Sequence, residues 1–223
     1  KGRPVEQYEP CFSTSFAYQP VQEAQKGQKA RMFYDPRGQV VRTLNPDGSE
    51  QRVVFGVPDD LTAPPDLSTS TSGYAATPWE AYTYDANDLS GITHPTESLA
   101  YMHHRWTPSN VLVDALGRTK RSTARLEIND LVELEYEYDI RGNVLSITDA
   151  LGRPVFRHRY NLANQTLWTR HIDAGEKLAV FDVAGKPVYM YDKGKGSAVY
   201  SSYDSISRPM KSYARDYGSE GLR

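Results

Sequence analysis

The sequence predicts an all-β fold, a series of consecutive antiparallel hairpins joined into a curved sheet. Three observations carry that prediction. Turn signals recur at nearly constant spacing, runs of alternating apolar and polar residues fill the gaps, and the composition suits strands. The 223 residues include sixteen Tyr, sixteen Gly and fourteen Pro, with 39% hydrophobic and 11% aromatic content. Aromatic and β-branched side chains pack well on a pleated surface, and Gly and Pro punctuate turns.

The turn signal is an aromatic residue followed by Asp or Asn. It occurs at Tyr138-Asp139, Tyr160-Asn161, Phe181-Asp182 and Tyr203-Asp204, with steps of 22, 21 and 22 residues between the second members. Half-way marks fall at Asp149, Asp173 and Asp192. A D-x-x-G tetrad appears at Asp35–Gly38, Asp114–Gly117, Asp139–Gly142, Asp149–Gly152 and Asp182–Gly185. Its carboxylate can accept a hydrogen bond from the backbone two residues on, and Gly supplies a positive φ without steric cost. Asp35, Gly38, Asp114, Gly117, Asp139, Gly142, Asp149, Gly152, Asp182 and Gly185 are therefore the expected turn residues. Tyr138, Tyr160, Phe181 and Tyr203 are expected to stack on their equivalents in the next repeat. A lone hairpin is marginal in water, so neighbouring hairpins must cover one another.

Taken in order, Tyr34–Gly38 leads into the run Gln39–Leu44, and Asn45-Pro46-Asp47-Gly48 turns it towards Gln51–Phe55. Pro58, Pro64, Pro65 and Pro78, with a Ser/Thr cluster at 68–72, mark residues 58–95 as a loop insertion. A short helix is expected inside it, with Thr77 as N-cap, Pro78 in the first turn and Glu80 three residues on. Asp114-Ala115-Leu116-Gly117-Arg118 nearly repeats Asp149–Arg153. Regular repeats occupy 131–213. There Val132, Leu134, Tyr136 and Tyr138 share one strand face against Glu133, Glu135 and Glu137. Phe156, His158 and Tyr160 oppose Val155, Arg157 and Arg159. Lys186–Tyr191 and Ser197–Tyr200 continue the period-two pattern. The whole of 1–223 reads as one repeat region.

The totals restrict function. With 26 basic and 28 acidic residues, no basic excess points to nucleic acid. No run approaches the ~18 apolar residues of a membrane helix, so no membrane insertion is expected. Nothing at the start of the chain has the apolar stretch of a signal peptide. The single Cys11 permits no internal disulfide. His94, His103 and His104 match no common zinc spacing, and adjacent His on a strand point to opposite faces. Carboxylates such as Glu133, Glu135 and Glu137 lie ~7 Å apart along a strand face, too far to chelate unaided. No G-x-S-x-G elbow is present, and Lys193-Gly194-Lys195-Gly196 lacks the spacing of a phosphate loop. The basic and aromatic row Phe156–Tyr160 reads as cross-strand packing pairs more readily than as a sugar or nucleic-acid grip. No enzyme activity, cofactor or metal is expected. Neither end carries the polar cap of a stacked repeat, and Tyr213–Gly218 follows a strand-like run. This pattern fits a fragment, or a chain whose ends are covered by other sequence.

The Y-D-x-x-G pattern with its following strands resembles the Rhs or YD repeat. Longer blocks resemble the B component of bacterial Tc insecticidal toxin complexes. These are Lys1-Gly2-Arg3-Pro4-Val5 through Gln7-Tyr8-Glu9-Pro10 and Phe12-Ser13, then Phe33–Val41, and Asp173–Glu176 with Asp182–Pro187. Thr77–Asp88 is similar to the variant in large proteins related to the Salmonella virulence plasmid toxin. The resemblance covers most of the chain. It implies a structural segment of a secreted toxin-delivery shell, wound from YD repeats around a toxic cargo polypeptide. The implied partners are neighbouring YD-repeat sequence or a partner toxin subunit, the enclosed cargo, and a pore-forming component. Two departures stand out. Cys11 replaces an expected aromatic beside Phe12, and Lys195 takes the Gly slot after Asp192, implying a looser turn. The Pro- and Gly-rich, Asp-containing motif that ends self-cleaving Rhs cores is missing, which implies no autoproteolysis. The alternative is a YD-repeat module for cell-surface adhesion or carbohydrate contact.

Overall fold

The computed structural model describes residues 2–12, 16–17, 24, 26–95 and 104–216. Lys1, Ser13, His103 and Tyr217-Gly218, named in the sequence analysis, lie outside the described residues. The fold is all-β, an open antiparallel sheet of fifteen strands whose order follows the chain. No helix among the described residues is long and apolar enough to cross a membrane. The chain divides into two compact units, Lys1–Glu133 and Leu134–Arg223.

The first unit holds β1 (Glu6–Tyr8), β2 (Lys29–Tyr34), β3 (Val40–Leu44), β4 (Glu50–Pro58), β5 (Tyr74–Tyr84), β6 (Ser109–Val113), β7 (Thr119–Glu127) and the start of β8 (Asp130–Tyr138). Its core forms where β4 and β5 pair. Val54, Tyr82, Tyr84 and Leu89 are buried together, and Leu61, Leu67 and Tyr74 pack against them. The Pro-rich segment between β4 and β5 thus supplies a cover for one patch of sheet. Ion pairs and a carbonyl fasten it. Arg42 reaches Asp66 at 2.8 Å, and Arg52 donates to the Pro64 carbonyl at 2.9 Å. The buried carboxylate of Glu50 lies between both guanidinium groups.

Between β5 and β6, the buried Asp88 organises the chain. Its Oδ1 accepts from the Thr107 amide and hydroxyl, each at 2.9 Å, and its Oδ2 from the Asp85 amide at 2.8 Å. Asp85 returns the bond by accepting from the Asp88 amide at 2.9 Å. Burial pushes the Asp88 carboxyl above the ordinary Asp range, since the charged form loses its water.

The helix expected from Thr77 is corrected: Tyr74–Tyr84 is an eleven-residue strand. The local signal is nevertheless real chemistry. Thr77 Oγ1 accepts from the Trp79 amide at 3.2 Å, as a cap would. Sheet pairing wins because both flanks of this signal lie in the β4 ladder, Ala76 opposite Gly56 and Ala81 opposite Phe55. Residues 77–80 step out of that ladder, and Pro78 sits in the step, where its missing N–H breaks no sheet bond. Gly56 allows the step. Its φ is 143°, and a Cβ there would lie 2.4 Å from the Ala75 carbonyl oxygen.

The second unit continues from Leu134 in β8 with β9 (Val144–Asp149), β10 (Pro154–Tyr160), β11 (Thr166–His171), β12 (Gly175–Phe181), β13 (Pro187–Asp192), β14 (Ser197–Tyr203) and β15 (Pro209–Asp216). Ala198 is the one buried apolar residue among its described residues. Side chains on both faces stay half-buried or exposed, so this unit is a single layer without a core of its own.

Candidate functional site

The most regular construction in the molecule is its turns. At eight of them the Asp or Asn amide donates to the carbonyl four residues on, and the amide three residues on donates back. For Asp139 these bonds run to Asn143 O at 2.9 Å and from Gly142 at 3.1 Å. The same pair of bonds closes the turns at Asp35, Asn45, Asp114, Asp149, Asn161, Asp182 and Asp204. The residue three after the Asp or Asn has positive φ throughout: 82° at Gly38, 83° at Gly48, 76° at Gly117, 88° at Gly142, 72° at Gly152 and 79° at Gly185. Two turns place other residues there, Asn164 at 62° and Ser207 at 65°. This is a type I turn closed by a left-handed residue, a common three-residue hairpin loop.

The leading side chain holds the loop from inside. Asp139 Oδ1 accepts from the Arg141 amide at 2.8 Å and the Asn143 amide at 2.9 Å. Asp114, Asp149, Asn161, Asp182 and Asp204 accept the same two amides of their own loops. At Asp35 the amide four residues on, Gln39, donates at 2.7 Å. The second carboxylate oxygen takes an Arg four residues on at Asp114, Asp149 and Asp204. At Asp114 and Asp149 the hydrogen bond from that Arg side chain, then the one from its amide, holds the carboxyl below the ordinary Asp range. At Asp139 the Asn143 side chain does so first, and at Asp204 the Arg208 amide.

Beyond each of these aromatic-Asp turns, and at Asp114 and Asp149 as well, the sixth residue after the Asp or Asn stands unopposed. In β9, Val144 faces Tyr138 and Ser146 faces Glu137, leaving Leu145 unpaired between them. Val41, Lys120, Val155, Leu167, Val188 and Met210 take the same place in their hairpins. These are β-bulges. The turn at Asn45 has none.

Among the described residues, no ring contact joins Tyr160, Phe181 and Tyr203 to one another. Tyr138, Tyr160, Phe181 and Tyr203 end β8, β10, β12 and β14. Equivalent positions two strands apart are separated by roughly 9.5 Å, beyond the 4.5–7 Å of ring contact. The Tyr160 ring instead neighbours His158 at 6.1 Å, and its hydroxyl donates to the Val144 carbonyl at 2.8 Å. Tyr203 donates to the Pro187 carbonyl at 3.1 Å. Both acceptors lie sixteen residues back, at the start of the strand after the previous aromatic-Asp turn. Phe181 has no hydroxyl to play this part. Ring contacts do occur, between Phe156 and His171 at 4.4 Å and between Tyr189 and Tyr200 at 4.9 Å.

Successive turns are also bonded to each other. Arg141 donates to Leu162 O at 2.6 Å, Asn143 to Asn164 Oδ1 at 2.9 Å, and Gln165 to Gly185 O at 3.2 Å. The half-way turn near Asp173 is built by a residue the sequence reading did not single out. His171 Nδ1 accepts the Asp173 and Ala174 amides at 3.1 and 3.0 Å, imitating the Asp of the other turns. Beyond Asp192, Gly196 takes the positive φ of 63°, and Asp192 Oδ1 accepts from Lys195 at 3.1 Å, so Lys195 itself needs no left-handed backbone. Cys11 is exposed. Among the described residues no three His, Cys, Asp or Glu side chains gather as a metal ion would require.

This repertoire of reciprocal turn bonds, bulges and single-layer pairing defines a hairpin-repeat sheet. Segments of Tc toxins share that fold. The chain superposes on the crystal structure of TcdB2-TccC3-TEV with a TM-score of 0.72 at 22% identity, over 100% of this chain and 10% of that one. For TcdB2-TccC3 the TM-score is 0.70 at 19% identity, with the same coverage. The Photorhabdus luminescens Tc holotoxin pore matches with a TM-score of 0.67 at 20% identity, over 88% of this chain and 9% of that one. The likeness to Tc toxin sequence blocks therefore extends to the fold, and this chain spans about a tenth of the proteins it matches. No sequence-family model matches the chain, and no curated protein does.

Proposed function

We propose that this chain is a non-catalytic segment of the wall of a secreted toxin-delivery shell that encloses a toxic polypeptide. The observation that carries the reading is the second unit. It is a regular hydrogen-bonded sheet with one buried apolar residue among those described. A self-contained domain would cover one face of such a sheet. A wall leaves both faces free, one for the enclosed chain and one for solvent. The fold shared with TcdB2-TccC3, over only a tenth of that chain, supports the same reading. In this account the turn residues Asp35 and Gly38, Asp114 and Gly117, Asp139 and Gly142, Asp149 and Gly152, and Asp182 and Gly185 keep the wall continuous. Tyr138, Tyr160, Phe181 and Tyr203 close the strand ends beside the turns. Its partners are further YD-repeat sequence or a partner toxin subunit, the cargo, and a pore-forming component.

The test is to express the complete reading frame that carries this segment, with its partner subunit, and image the product. A hollow particle whose cargo resists added protease is expected. An open or filamentous product, or cargo cut as fast as free cargo, overturns the reading. Binding of that product to a glycan array or to cell surfaces would then favour the adhesion alternative.

A further inference from the structure

One cross-strand rung of the second unit breaks the usual rule of charge pairing. Glu137, Ser146, Arg157, Arg170 and Glu176 lie directly opposite one another across β8 to β12. Arg157 and Arg170 are thus facing like charges on adjacent strands, an arrangement that destabilises a sheet. Both side chains are exposed, and neither makes an ion pair within 4.0 Å among the described residues. Neither carboxylate of the rung turns to the arginines. Glu137 accepts from the Ser146 hydroxyl at 2.6 Å, and Glu176 pairs with Lys193 at 3.3 Å. Two residues along the same face, Arg159 stands opposite Trp168, its guanidinium 5.0 Å from the indole centroid. Beside them opens a trough of 430 Å³, lined in part by Glu137, Ser146, Thr148, Arg157, Arg159 and Trp168. Next to Trp168 in its rung come Leu178 and Tyr191.

We infer that Arg157, Arg170 and Arg159, walled by Trp168, form a docking site for an acidic polypeptide segment with apolar residues beside its carboxylates. Arginine forks suit carboxylates, and the Trp168–Leu178 row offers apolar contact at the next position. Nucleic acid fits less well. Glu137 and Glu176 bound the positive region on either side, so a phosphate chain running across the strands, charged at every unit, would meet a carboxylate within about two strand spacings, roughly 10 Å, whereas a polypeptide can set an uncharged residue there. The chain's net charge of −2 gives no long-range attraction to a polyanion. The inference does not rest on the shell reading.

The test uses the full chain and a fluorescein-labelled decapeptide alternating Glu and Leu. Its Gln/Leu counterpart and a ten-nucleotide oligo-dT serve as competitors in class. The Glu/Leu peptide is expected to bind, to weaken with added salt, and to bind about tenfold less well to each of Arg157→Ala and Arg170→Ala. Neither substitution should lower the thermal midpoint, because each relieves a like-charge pair. Binding that is absent, shared equally by the Gln/Leu peptide, exceeded by oligo-dT, or unchanged in both variants would overturn the inference. So would a lowered midpoint in either variant, which would make the arginines part of the scaffold.

Discussion

Asp139 accepts two amides through one oxygen and the Asn143 side chain through the other. Asp139→Ala removes all three bonds, while Asp139→Asn keeps an acceptor for the amides, as Asn161 does natively. Urea titration should therefore rank stability as wild type, then Asn, then Ala, with a clear gap before Ala. The same carboxylates set the acid limb. Asp114, Asp139, Asp149 and Asp204 titrate lower when folded than their ordinary 3.8. Their contribution is complete above the unfolded pKa and is lost as pH falls through the folded one. The urea midpoint should drop on acidification below about pH 4, and less steeply when these positions are Asn. Gly56 and Gly152 both have positive φ, but only Gly56 is crowded. Gly56→Ala should cost about 1–3 kcal/mol by thermal melting. Gly152→Asn should be mild, since Asn visits that backbone region readily and Asn164 occupies it here.

At the scale of the strand and hairpin, the Tyr160 and Tyr203 hydroxyls tie their hairpins to the one before. Tyr160→Phe deletes the bond to Val144 O and should cost about 1 kcal/mol in chemical denaturation. Phe181 marks a repeat that already lacks this bond. In the first unit, Leu89→Ala empties a buried site and should cost about 2–5 kcal/mol. Much of this level was legible in the sequence. D-x-x-G carries its geometry in its own side chains, so the turns and strand runs could be read directly. What was hidden depends on pairing. The bulge residues are Val, Leu, Met or Lys, types that carry no mark of being unopposed. Val155 was assigned to the face of Arg157 by alternation, yet it is the unpaired residue and is half-buried like Phe156. At Thr77 the local cap signal was correct chemistry in the wrong element, because the competing partner, β4, is distant in sequence. His171 was invisible as a turn residue because an imidazole nitrogen is a rare substitute for Asp.

Across the whole chain the two units are stabilised differently. The first has a buried cluster under its Pro-rich cover, and the second relies on ladder bonds and half-covered side chains. Hydrogen exchange on the isolated chain should show the slowest amides in β4 and β5, with uniformly weaker protection through β9 to β15. Equal protection in both would contradict this division. The unpaired residue six places after the Asp has a further consequence. Since the aromatic-Asp or aromatic-Asn turns at Asp35, Asp139, Asn161, Asp182 and Asp204 are each followed by the same offset, removing or duplicating one whole repeat leaves its neighbours' register and side-chain orientation untouched. Such units behave as interchangeable cassettes, and related genes should differ in length by whole steps of twenty-one or twenty-two codons.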